Sequence, residues 1–160
     1  MQSRILRLLS ENARITAKEI AERLNKEEKS IAKIIKKLET DHVIKGYRAI
    51  IDESALSSNL VKAIIEVKVR PEREGGFNNI AKRLSRFSEV TSLYLVSGGF
   101  DLLLEVQGGT LQEVADFVSS KLSTIEGVIS TSTHFLLKKY KESGKILTEE
   151  DEYERLKVTP

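Results

Sequence analysis

Lysine recurs at positions 29, 33, 36 and 37, with Ser30 among them and Lys45 and Arg48 shortly after. Ammonium groups at this density neutralise phosphates, and a serine hydroxyl both donates to and accepts from base edges. Lys29, Ser30 and Lys33 are the candidates for base contact, and Lys36, Lys37, Lys45 and Arg48 for phosphate contact. The competing reading is a solvated helix face, which is what most runs of charge are. The charge is local, however: Met1 to Asp52 holds 12 Lys and Arg against 8 Asp and Glu, while the whole chain holds 26 against 24. Other chemistries have little to work with. Cysteine is absent and histidine occurs only at 42 and 134, so no zinc or non-haem iron ligand set and no resident cofactor are expected. His42 falls at the end of a helix, where a C-terminal capping group is expected, and His134 alternates with Ser132 and Leu136 on a strand. The glycine pairs follow neither the dinucleotide nor the P-loop spacing.

The stretch TAKEIAERLNKEEKSIAKIIKKLETDHVIKGY, Thr16 to Tyr47, must position those lysines. Thr16 and Glu19 form a capping box that opens a helix with Ile20, Ala21 and Leu24 inward. Asn25 and Lys26 supply a turn. A second helix then buries Ile31, Ile34, Ile35 and Leu38, an i, i+3, i+4, i+7 stripe that leaves the lysines outward. This is a helix-turn-helix pattern. An earlier helix, Arg4 to Glu11, adds Ile5, Leu8 and Leu9, with Leu6 half covered, and ends at Asn12 in a left-handed conformation. Val43 to Ile51 is rich in β-branched residues and reads as a strand, a wing or a connector.

The chain is expected to divide into a DNA-binding domain at 1–52, a linker at 53–59, a second domain at 60–138 and a tail at 139–160. In the second domain Val61 to Val69 alternates with period two, and Pro71 and Gly75-Gly76 end that strand. Phe77, Ile80, Ala81, Leu84 and Phe87 mark a helix. Val90 to Ser97 and Asp101 to Gln107 are two strands joined at Gly98-Gly99. Thr110 opens a capping box with Glu113 on a helix burying Leu111, Val114, Ala115, Val118 and Leu122, and Val128 to Leu137 closes the domain. The order βαββαβ is ferredoxin-like, so the fold class is α+β. Both sheet faces read as apolar or small, at Ile64, Leu93, Leu95, Leu103, Ile129, Phe135 and Leu137 among others. Two helices cover only one face, so pairing of two copies through the other is expected. In the tail, an acidic run at Glu149 to Glu152 has few apolar anchors, with Ile146, Leu147, Tyr153 and Leu156 as docking candidates. No apolar run approaches the ~20 residues of a membrane span, and the N-terminus lacks the features of a signal peptide, so a cytoplasmic protein without membrane partners is expected.

RILRLLSENARITAKEIAERL, IAKIIKKLETDHVIKGYRAIID, the segment from Glu89 through VSGGFDLLLEV, and GVISTSTHFLL together resemble the Lrp/AsnC family of feast/famine regulators. VRPEREGGFNNIAKRLSRF and STSTHFLLKKYKESG resemble a Firmicutes subgroup linked to alanine and aminotransferase regulation. The resemblance implies a winged helix-turn-helix on double-stranded operator DNA, control of amino-acid metabolism, and dimers joined through the second domain, assembled into octamers or larger. It implies an amino-acid effector bound between dimers, at Ser97, Gly98, Gly99, Phe100 and Asp101 with Thr131 and Thr133. Asp101 would take the ammonium, the glycine amides the carboxylate, and Thr133 would add a hydroxyl. The alternative is a hairpin turn with Asp101 as its local cap. Three positions depart from the family pattern. Glu27-Glu28 stands where a Ser-Pro-type cap is usual, Ile34 where Arg is common, and Gly98-Gly99-Phe100-Asp101 where Gly-Asp-Tyr-Asp is frequent. Two further readings share the layout: an architectural DNA organiser without effector, and an enzyme related to the tetrapyrrole decarboxylases. The latter would need His and Arg on a sheet face that reads as aliphatic, Ser or Thr.

Overall fold

The computed structural model describes residues 1–51, 53–56, 60–71 and 75–147. Residue 52, residues 57–59 of the expected linker, and the acidic run with Tyr153 and Leu156 lie outside them. The chain forms two compact units, Met1–Ile51 and Asp52–Pro160, taken here in turn.

The first unit is three helices, α1 (Gln2–Glu11), α2 (Ala17–Leu24) and α3 (Glu28–Thr40). Ile5, Leu9, Ile15, Ile20, Ala21 and Ile31 form its core, with Leu8, Leu24, Ile34, Ile35 and Ile44 packed against it. The Thr16–Glu19 capping box is present, each side chain meeting the other residue's backbone N–H. Both later helices end the same way. Lys26 N–H donates to Ala21 C=O and Val43 N–H to Leu38 C=O, around Asn25 (φ 51°) and His42 (φ 54°). These are Schellman ends, in which a left-handed residue lets the last carbonyls find donors. His42 therefore caps through its backbone conformation, which His adopts more readily than most residues. Asn12 is extended rather than left-handed, and its side chain instead accepts from Arg14 N–H.

The segment 43–51, read as a strand, forms none among the described residues. Its β-branched residues have the propensity but no partner, and a ladder needs a second strand, whereas this unit is otherwise helical. It is held instead by the Val43 and Ile44 amides on Leu38 C=O and by Tyr47, whose hydroxyl donates to Glu39 Oε1 at 2.8 Å.

The second unit runs β1 (Val61–Val69), α4 (Asn78–Leu84), β2 (Val90–Leu95), β3 (Leu102–Gly108), α5 (Leu111–Asp116) and β4 (Val128–Phe135). The sheet is antiparallel in the order β2-β3-β1-β4, the ferredoxin-like βαββαβ arrangement. Its core is Ala63, Ile65, Val67 and Val69 of β1 and Leu102, Leu104 and Val106 of β3 against Ile80, Leu84, Val114, Phe117 and Leu122. Beyond α5 the chain continues as a π-helical segment, Phe117–Leu122, ended by a Ser123 N–H to Val118 C=O bond. The wider turn brings Leu122 rather than Lys121 to the inward face, and ahead of it Phe117 is buried while Leu111 is 57% exposed and Ala115 faces solvent, contrary to the inward face the sequence suggests. Thr110 accepts from Glu113 N–H, but Glu113 reaches past it to Gly109 N–H, so no closed box forms. After β4 a small hairpin, β5 (Lys141–Glu142) and β6 (Lys145–Ile146), turns at Ser143 and Gly144 with positive φ at both.

The face away from the helices is not apolar. Paired residues share a face, and Leu93, Leu95 and Phe135 pair with Leu104, Leu102 and Ala63 on the helical side. The open face carries Lys62, Ile64, Glu66 and Lys68 of β1, Leu103, Glu105 and Gln107 of β3, Ser92 and Tyr94 of β2, and Ser130, Ser132 and His134 of β4. Only Ile64, Leu103 and Tyr94 among these are hydrophobic. The expectation of an apolar face demanding a partner is thereby overturned.

Candidate functional sites

In α3, Ile31 and Leu38 are buried and Ile34 and Ile35 half-buried, which fixes the helix about its axis. At 100° per residue, Lys29, Lys33 and Lys36 lie within about 40° of the direction opposite Ile31, and Ser30 and Lys37 fall on one flank. All five are exposed, as are Lys45 and Arg48. Among the described residues, none of Lys29, Lys33, Lys36, Lys37 and Lys45 is in an ion pair. Their charge is free for an external anion. Glu27 caps the helix without a side-chain hydrogen bond, and Glu28 occupies the first turn. These carboxylates suit the positive end of the helix but would repel a phosphate brought there.

The second candidate lies at the end of the sheet where β1 finishes and β3 begins. Asp101 N–H donates to Val67 C=O at 3.1 Å, and Asp101 Oδ2 accepts from Val69 N–H at 2.9 Å. Its side chain thus carries the β1–β3 pairing past Val67, a role reaching across the sheet rather than a cap of its own hairpin. Ser97, Gly98 and Gly99 are exposed and Phe100 half-buried. A side chain built at Gly98 or Gly99 would meet no atom within 4 Å, so the space beside both glycines is open. Thr131 and Thr133 are not brought to them. They pair with Val67 and Ile65 on the helical face of β4, and β1 lies between that strand and the loop.

Sequence reasoning missed two arrangements. On the open face His134 Nε2 lies 3.6 Å from Glu66 Oε1 and 3.3 Å from Ser132 Oγ, and Ser92 Oγ donates to Glu105 Oε2 at 2.8 Å. The signal was the alternation of Lys62, Glu66 and Lys68 between apolar neighbours. The second is a cleft of about 640 Å³ lined by Arg70, Pro71, Glu126, Gly127, Val128 and Ile129. Among the described residues no three His, Asp or Glu side chains are placed to hold a metal, and no helix is long and apolar enough to cross a membrane.

A winged helix-turn-helix DNA-binding family model matches residues 2–45, and the Lrp/AsnC ligand binding domain matches residues 62–146. The chain belongs to the Lrp/AsnC family. YugG of Bacillus subtilis, an uncharacterised HTH-type transcriptional regulator, is 43% identical over 99% of this chain and 96% of its own. The leucine-responsive regulatory protein of Rhizobium meliloti is 32% identical over 89% of this chain and 91% of its own. Among solved structures, a Neisseria meningitidis transcriptional regulator in complex with L-Met is 26% identical, with a TM-score of 0.65 over 88% of this chain and 90% of that one. This Lrp/AsnC protein is therefore a DNA-binding transcriptional regulator with a ligand-binding second domain. The open face carries Lys, Glu and His134 where the sequence reading expected aliphatic, Ser or Thr positions, but among its described residues it holds no Arg beside that histidine. The relatives named here are regulators, and the His134 contacts lie on an exposed surface.

Proposed function

We propose that this regulator reads operator DNA with the outward face of α3 and responds to an amino-acid effector. The observation that carries the reading is the row Lys29, Lys33 and Lys36, exposed and unpaired opposite the buried Ile31. Base contact falls to Lys29, Ser30 and Lys33, and phosphate contact to Lys36, Lys37, Lys45 and Arg48. A single reading head is too small for tight specific binding, so the working unit is a homodimer or a larger assembly such as an octamer, with heads ~34 Å apart. Pairing through the open sheet face would join hydrogen-bonding and charged groups rather than a dry apolar surface.

The effector end rests on the Ser97–Asp101 loop, where Asp101 Oδ1 is left for an ammonium and the Gly98 and Gly99 amides for a carboxylate. The Neisseria neighbour solved with L-Met and the leucine-responsive relative support an amino acid as the class. A ligand acts by binding one assembly or head spacing better than another. Footprinting on the protein's own upstream region, with and without each amino acid, tests the reading. A defined operator whose protection changes with one amino acid supports it. Uniform coverage that no amino acid alters would favour an architectural DNA organiser.

A further inference from the structure

One apolar side chain on the outward half of α3 belongs neither to the core nor to the lysine row. Ala32 is exposed, and it lies outside the set of Ile31, Ile34 and Ile35 that packs the helix down. At 100° per residue it falls on the flank opposite Ser30, about 60° from Lys29 and about 40° from Lys36. Those two lysines are its i−3 and i+4 neighbours, with Cβ atoms ~5–6 Å away. The rest of the helix narrows what it can read. Glu28–Thr40 holds no Arg, Asn or Gln, so the bidentate readers of adenine are missing. A carboxylate would accept from cytosine, but Glu39 is engaged by Tyr47 and Glu28 lies about 60° from Ile31, toward the core. Thr40 donates its hydroxyl back to Lys36 C=O at 2.9 Å and sits ~12 Å along the axis from Ala32. Ammonium groups, one serine hydroxyl and one methyl remain.

We propose that α3 reads a guanine and a nearby thymine, the guanine through Lys29 and the thymine through contact of its methyl with Ala32. An ammonium suits guanine O6 and N7, and the thymine C5-methyl is the one apolar group that bases present in the major groove. Lys29 and Ala32 are ~4.5 Å apart along the helix axis, against a base step of ~3.4 Å, so the two bases lie one or two pairs apart. An ammonium serves a phosphate as readily as a guanine and discriminates weakly by itself. A methyl gains nothing from a phosphate. Ala32 therefore determines specificity without adding to the salt dependence. The inference rests on the reading that the outward face of α3 enters the major groove.

The test begins with duplexes selected from a random library by the full chain. Each thymine of the selected duplex is then replaced in turn by deoxyuridine, which lacks only the methyl, and affinity is measured. One thymine in each half-site, within two pairs of a guanine, should weaken binding about fourfold on losing its methyl. The Ala32→Gly protein should bind the thymine and deoxyuridine duplexes equally, and selection with it should leave that position open. The ratio is taken on one protein at a time, so helix stability lost to glycine cancels. Lys29→Ala should release the guanine and keep the thymine. A methyl effect of equal size in wild type and Ala32→Gly overturns the contact, as does a selected duplex in which no thymine responds to its methyl. Where replacing Lys29, Lys33 and Lys36 together by Ala abolishes binding, such a result removes this inference alone. Binding that survives the triple replacement takes α3 off the DNA, and wild type that selects no sequence denies a defined operator; either removes the inference and the operator reading together.

Discussion

Tyr47 donates its hydroxyl to Glu39 Oε1 at 2.8 Å, tying the segment after α3 back onto that helix with a side chain where a wing would use a strand. Burial, then the Glu39 carboxylate, holds the phenol above its ordinary value of 10.0. The protonated phenol is the form the fold favours. Its contribution is therefore complete below pH 10 and disappears as the pH rises through the raised folded value. Tyr47 is 50% exposed, so the bond is modest, and Tyr47→Phe should cost about 0.5–1 kcal/mol at pH 7. Urea unfolding of both proteins from pH 7 to 11 should show the gap closing at the alkaline end. A constant gap would assign the loss to packing.

Salt dependence reads the phosphate contacts. If Lys33, Lys36, Lys37 and Lys45 each meet one phosphate in a dimer, about 8 charges are neutralised and log K falls with log salt at a slope of about −7. Lys36→Ala should flatten the slope by roughly 2 units and leave operator preference intact. Lys29→Ala, at a position proposed for base contact, should relax preference with a smaller change of slope. An unchanged slope for Lys36→Ala would leave it a solvated residue.

What the sequence shows best is local. The Thr16–Glu19 box and the Ile31 to Leu38 stripe are complete within a few residues, and both are present. Alternation within β1 is equally plain, because Ala63, Ile65, Val67 and Val69 need no other strand to define a face. The face shared between strands is not plain, since it depends on register, and register depends on loop geometry and on a bulge at Lys68/Val69. Leu93, Leu95 and Phe135 therefore joined the wrong side. Val43 to Ile51 shows propensity without a partner. The π turn at Phe117 hides because Val114, Val118 and Leu122 also suit a straight helix. Asp101 meets Val69, 32 residues away, and no spacing rule reaches that far. The cleft at Arg70 and Glu126 is tertiary for the same reason.

Glu53 draws the start of the second unit together. It pairs with Lys62, and Lys139 Nζ lies 3.3 Å from the same oxygen while also meeting Glu142 at 2.9 Å. The Lys62 hydrogen bond first, and Lys139 second, hold the Glu53 carboxyl below its ordinary value of 4.5. A depressed folded value means stability present above pH 4.5 and lost as the pH falls through the folded value. Side chains 26–37% exposed screen the pairs, so Glu53→Gln should cost about 1 kcal/mol or less at pH 7. The urea midpoints of wild type and variant should converge on acidification. Divergence there would reverse the sign of the argument.

Gly127 has φ +93°, and a Cβ added to it would lie 2.7 Å from Ile80 Cδ1, on a side chain that is fully buried. Both the backbone conformation and the lack of space oppose a methyl group. Gly127→Ala should destabilise by about 2–4 kcal/mol. Gly46→Ala, where an added Cβ meets nothing within 4 Å, is the control and should be near neutral. Equal unfolding midpoints for the two variants would mean that the β4 entry relaxes around the extra methyl.

Asp101 has two tasks that one substitution can separate. Its Oδ2 accepts from Val69 N–H, which a neutral amide oxygen does as well, whereas an ammonium requires the charge. Asp101→Asn should therefore keep the β1–β3 junction and fold like wild type. Asp101→Ala should leave Val69 N–H without this acceptor and cost about 1–2 kcal/mol. If the Ser97–Asp101 loop holds the effector, both variants should weaken amino-acid binding there at least about tenfold, Asn through charge alone. Thermal unfolding and calorimetry on the same preparations check the split. An Asp101→Asn protein that binds with wild-type affinity and stoichiometry would leave Asp101 a structural carboxylate and take the ammonium site away from this loop.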